Sequence, residues 1–133
     1  MVEENKMQAC KITLTTSVDG KETQIVREGS VSLSLLKTVV RYKEENAEIT
    51  LIFEKESVRL ERRGDYALCL LLRQGEISKG TLGFGESVGS IRVYAHKINY
   101  SASKDSLLAS LHYDLMFGEE RQEMKLRLYV KTA

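Results

Sequence analysis

Five side chains in this sequence are of a type and placement suited to holding a small molecule: Tyr42, Glu44, Arg62, Arg73 and Tyr113. Arg62 carries the argument. It continues the every-other-residue phase of Val58 and Leu60, so in a strand its guanidinium points to the buried side. A cation there must find an acceptor, because an unpaired buried charge is costly. Tyr42 and Glu44 share the phase of Val40 and face the same interior. Three outcomes stay open. Arg62 pairs with Glu44 beside Tyr42 and closes one end of the core. Or these groups form a polar floor that orients an apolar or amphipathic ligand. Or Arg62 reaches past the strand end to solvent. Arg73 ends an apolar run beside Gln74 and Gly75, either as an exposed strand-end charge or as a rim contact for an anion. Tyr113 lies in the apolar phase of Leu111 and Leu115.

Other constellations were weighed against chemistry. His96 and His112 are the two histidines, and a hairpin turn over 101–105 would set His96 beside His112 and Asp114 on one face. Such a trio suits zinc binding or proton shuttling. That face is the polar one, however, so a solvated surface or a pH-sensitive patch competes, and the pattern alone assigns no metal and no cofactor. Gly85-Glu86-Ser87-Val88-Gly89 matches the Gly-x-Ser-x-Gly letters of a nucleophile elbow. An elbow joins a strand to a helix in an α/β sheet; here a strand follows. Residues 79–85 lack the Gly-Lys-Ser/Thr and following helix of a phosphate loop. No catalytic residue is assigned.

The elements that must position these groups are strands. Residues 90–100, 106–117 and 122–131 alternate apolar and polar positions with period two, the mark of a sheet with one buried face. Earlier candidates are 9–16, 21–28, 30–36, 38–44, 47–54, 57–62, 66–73 and a short 81–86. Asp19-Gly20 is a strong hairpin turn. The run 66–73 is nearly all apolar and fits a strand covered on both sides, or a central one. The glycines of 75–89 fit a strand that bends at a barrel corner. Proline is absent, which suits a sheet without edges to protect. The expected fold is all-β, an antiparallel closed or nearly closed barrel of about eight to ten strands. Residues 1–8 are expected to be a flexible segment and 9–133 the single barrel domain.

Composition narrows the class. A chain of 133 residues is long enough to bury its own core without metal or disulfide. With 42% hydrophobic and 29% charged residues, and a net charge of +1 spread along the chain, nothing marks a nucleic-acid binder. No apolar run approaches membrane-helix length and the first residues hold no apolar leader, so neither membrane nor nucleic acid is an expected partner and the cytoplasm is the expected location. Cys10 and Cys69, far apart, read as small buried hydrophobes in a reducing compartment.

Tyr42-x-Glu44, Arg62-x-Gly64, Leu72-Arg73-Gln74-Gly75, Phe84, Gly89 and Tyr113-Asp114, in this order and spacing, resemble the YwiB-like family over roughly residues 11–131. Its members are small bacterial β-barrels of calycin (lipocalin-like) type with no established activity. The resemblance implies a calycin-like barrel with an interior cavity, and no reaction. The expected function is binding of a small apolar or amphipathic molecule inside the barrel. The alternative is a solidly packed barrel that binds a protein, or a second copy of itself as a homodimer, through its outside.

Overall fold

The computed structural model describes residues 7–34 and 36–133, and every regular element among them is a strand. In chain order these are β1 (Gln8–Val18), β2 (Lys21–Ser32), β3 (Lys37–Glu44), β4 (Ala47–Glu54), β5 (Ser57–Gly64), β6 (Ala67–Leu72), β7 (Ile77–Phe84), β8 (Ser87–Ala102), β9 (Ser106–Phe117) and β10 (Glu120–Thr132). Each pairs antiparallel with the next, and β1 pairs with β10 from Cys10↔Thr132 to Val18↔Met124. The ten-stranded meander is therefore a closed barrel, and closure leaves no unpaired edge to protect. No helix among the described residues is long and apolar enough to cross a membrane.

Local chemistry explains the connections. The β1–β2 turn holds Asp19 and Gly20 at φ of 48° and 88°, the pair of positive values that a tight hairpin matching strand twist demands. Gly29, in contrast, marks no turn. A separate strand over 30–36 was expected; β2 instead continues unbroken through Gly29 to Ser32. A Cβ at Gly29 would stand 2.2 Å from the Arg41 carbonyl oxygen, so this glycine serves the close approach of β3. Leu35 of the expected strand lies outside the described residues, as do residues 1–6 of the expected flexible segment. Gln8 already pairs with Val31.

Alternation sends one side chain in two inward. Ile12, Val31, Val40, Leu51, Phe53, Val58, Leu70, Leu72, Val93, Leu107, Leu111 and Val130 belong to one buried cluster inside the tube. Two expectations are corrected. β6 buries only the Leu70 and Leu72 side and exposes Ala67 and Cys69, because a closed barrel has a single inner face. For the same reason Cys69 is exposed while Cys10, in the inward phase, is buried. The glycine-rich stretch forms a regular β7, paired to β8 from Ile77↔Tyr94 to Phe84↔Ser87, and the expected short strand over 81–86 is its second half together with the turn.

Candidate functional site

One end of the barrel gathers most of the residues singled out above. Tyr42 and Tyr113 are buried. Burial is the main cause that lifts the Tyr42 phenol above its ordinary range, with the Glu44 carboxylate and Tyr113 adding and Arg27 opposing. Tyr113 is pushed up to about 12 by burial, with Tyr66 contributing. Tyr66 in turn lies under Arg62, whose guanidinium carbon sits 3.6 Å above the ring. Tyr42, Glu44, Tyr113 and Arg62 are thus linked through one polar patch.

The pairing within that patch differs from the one anticipated. Arg62 does not reach Glu44. Its Nη1 donates to the Tyr66 carbonyl at 2.7 Å and its Nη2 to Asp65 Oδ1 at 2.7 Å. The β5–β6 turn folds Asp65 back onto the guanidinium, and Asp65 remains half in water, so this ion pair forms without stranding a carboxylate. The Arg62 hydrogen bond holds the Asp65 carboxyl below its usual range. Arg73 is not part of the patch. It is exposed in the β6–β7 connection, which bends onto β8 through a 2.7 Å bond from the Gly75 N–H to the Ala95 carbonyl.

The recesses of the molecule lie at its rims and on its outer face. A recess of about 250 Å³ at the other end touches Phe53, Thr38 and Tyr100. A larger groove of about 640 Å³ crosses the outer face of β2, β1, β10, β9 and β8, with Thr13, Thr15, Gln24, Leu108, Arg127 and Tyr129 among its walls. Leu108, Tyr129 and Thr13 form a cross-strand row in it that Val26 continues beyond its wall: Leu108↔Tyr129, Tyr129↔Thr13 and Thr13↔Val26. Leu108, Tyr129 and Val26 are 58%, 43% and 51% exposed. Sequence reasoning passed over this row, because each residue breaks its strand's polar phase only once. The signal was there in Val26 between Gln24 and Glu28, Leu108 between Ser106 and Ser110, and Tyr129 between Arg127 and Lys131.

Along the same face the histidines meet as expected, although the hairpin register is shifted by one from its turn to Lys97↔His112 and reaches the expected pairing only at Ala95↔Tyr113. His96 and His112 stack with ring centroids 4.4 Å apart, and Tyr94 packs edge-on against His96 at 4.7 Å. His96 Nε2 donates to Asp114 Oδ2 at 2.8 Å and His112 Nε2 to Glu123 Oε2 at 2.9 Å. Sequence did not disclose the irregularity that aims them. β8 pairs Ala95 with Tyr113 and then Lys97 with His112, so His96 is an extra, bulged residue.

A closed antiparallel meander of ten strands with a buried apolar cluster inside and polar groups at one end defines a small all-β barrel. The family described as a domain of unknown function, DUF1934, matches residues 12–128, and the chain belongs to it. The resemblance to the YwiB-like family holds in three dimensions. The crystal structure of the ywiB protein from Bacillus subtilis matches with a TM-score of 0.81 over 96% of this chain and 93% of that one, at 12% identity. At that identity the likeness is one of fold. No curated protein matches the chain.

Proposed function

We propose that the protein is a binding module whose working surface is the outside of the barrel, and that its partner is a segment of another protein presenting apolar side chains. The observation that carries this is the exposed cross-strand pair Leu108 and Tyr129 in the outer groove, continued through Thr13 to Val26 just beyond it. Contiguous exposed apolar side chains on an otherwise charged surface are characteristic of interaction sites. Tyrosine with a neighbouring arginine, here Tyr129 and Arg127, is the composition of interface anchors. A small molecule is less well served. Ligand pockets enclose most of their ligand, whereas this groove is open along the strands. The interior offers inward side chains of Leu, Ile, Val and Phe in mutual contact, and Arg62, the group best suited to orient a ligand there, is already engaged by Tyr66 and Asp65. A second copy is also less suited. Lys11 stands beside the row, cross-strand from Lys131, whose own charge is met by Asp105 at 3.0 Å, and a two-fold axis along β1 and β10 would set Lys11 against its copy.

Native mass spectrometry of protein purified from its own host tests this, comparing the wild type with a Leu108→Lys, Tyr129→Asp double variant, whose opposite charges face each other across the ladder. Both positions are exposed, so the variant keeps the wild-type circular dichroism spectrum and urea midpoint. The expected result is a protein complex in the wild type that the variant loses. A small-molecule mass retained equally by both would move the site to the interior. A bare homodimer would make a second copy the occupant.

A further inference from the structure

We propose that His96, His112 and Asp114 form a binding site for a first-row divalent transition ion on the outer face of the β8–β9 hairpin. The topology builds it from two devices. His112 and Asp114 are two apart on β9 and share its outer face, as alternation requires. His96 is the bulged residue of β8, and a bulge re-aims the side chain it inserts. The three side chains each offer one ligand atom, and these atoms lie within 4.8 Å of one another. Closing on an ion at ligand distances of ~2.0–2.2 Å requires the two imidazoles to tilt out of their stacked, 26° arrangement so that a nitrogen of each, with the Asp114 carboxylate, faces one point.

The carboxylate is what raises this above a chance meeting of histidines. Asp114 lies on the outward phase of its strand, yet its side chain is only 6% exposed. It is covered by the imidazole of His96 and by Arg121, whose Nε is 3.4 Å from the same Oδ2. A buried anion held directly beneath an imidazole is a ligand already desolvated and oriented. Glu123, cross-strand from Asp114 and bonded to His112, stands where it can steer the His112 ring or supply a further oxygen. Two imidazoles with one carboxylate select zinc, copper, nickel or cobalt over magnesium and calcium, which favour all-oxygen shells. The neighbouring cations set the limit on affinity. Arg121 must swing away from Asp114; it is 58% exposed and free to do so. Lys125, opposite His112, and Lys97, next to His96, project into solvent, where salt screens their repulsion.

The test is calorimetric titration of untagged protein with Zn²⁺. A Cys69→Ser background removes the exposed thiol, which would otherwise bind zinc on its own. One ion per chain is expected, with affinity falling roughly tenfold or more in His96→Gln and in His112→Gln. Asp114→Asn should do the same. Because that buried change risks the fold, the two histidine variants, both at partly exposed positions, keep the test decisive. Co²⁺ substitution provides a second readout, a visible ligand-field band in the wild type that is absent from both histidine variants. The proposal is overturned if millimolar Zn²⁺ produces no binding heat, or if the double histidine variant binds as the wild type does. It is also overturned if His96→Gln lowers the thermal midpoint while zinc leaves both proteins unmoved. In that case His96 serves only to pin the bulge.

Discussion

Arg62 commits its guanidinium within its own hairpin, to the Tyr66 carbonyl, the Asp65 carboxylate and the Tyr66 ring. Replacing it with methionine should therefore cost about 1–2 kcal/mol, the value of a charge-assisted hydrogen bond to a partly buried carbonyl. A buried pair with Glu44 would have cost about 3–5 kcal/mol, because the stranded carboxylate would have no escape to water. Asp65 has that escape. Glu44→Gln should cost less than about 0.5 kcal/mol, and the double variant should be additive to within roughly the same margin. Urea denaturation at constant m reads all three. A coupling between the two positions well above that margin would restore the cross-barrel pair. The inward phase of Arg62 was legible from Val58 and Leu60. Its partner was not, since that depends on how the turn at Asp65 and Tyr66 folds the Asp65 carboxylate back, a matter of backbone torsion that residue types leave open.

At the level of elements, the β8 bulge separates two kinds of insertion. The ladder on β9 is continuous across it: Ala95↔Tyr113 on one side, Ile98↔Leu111 and Tyr100↔Ala109 on the other. Deleting His96 should therefore preserve both halves of the register and the inward set of β8. The loss should be about 1–3 kcal/mol, from leaving Asp114 with Arg121 as its remaining partner. Deleting Asn99, a short way along the same strand, has no such relief. It turns Tyr100 and Ala102 to the opposite face. Tyr100 then loses its packing 5.3 Å from the Phe53 ring and its 2.7 Å bond to the Glu54 carbonyl. Loss of this half-buried aromatic and its hydrogen bond, added to the reversal of the residues beyond it, should make the Asn99 deletion the more damaging of the two. Thermal melts of both deletions settle the order, and equal midpoints would mean that the bulge is not the spare residue. Strand identities in this region were legible from period-two alternation. A bulge was not, because a single extra residue leaves the polar and apolar composition on either side unchanged. Gly29 misled for a related reason: glycine signals both turns and close backbone approach, and only the position of β3 tells which.

For the whole molecule, closure means that every strand contributes to one interior, and two phenols lie in it near the polar end. Tyr113 is held up to about 12 against an ordinary value of 10.0, chiefly by burial, and Tyr42 is raised by the same cause with help from Glu44. Below the unfolded value both phenols are neutral in the folded and unfolded chain alike, so they leave stability flat there. Above it the unfolded chain sheds its phenolic protons while the barrel retains them. Unfolding then releases protons, and rising pH favours it. The loss continues up to the folded value, where the native phenol ionises too and the slope from that group ends. The phenols' share of stability should thus be level to roughly pH 9.5 and decline between about pH 10 and 12, each buried phenol contributing up to ~1.4 kcal/mol per pH unit, on top of an earlier loss from the Cys10 thiol, which burial also raises. Urea midpoints taken at intervals across this range, for the wild type and Tyr113→Phe, isolate one group. The variant has nothing to ionise at that position, so its decline should be shallower by one phenol's share while its stability at neutral pH stays close to that of the wild type. Parallel declines would mean that the Tyr113 hydroxyl ionises as readily inside the barrel as outside it, and would overturn the effect assigned to its burial.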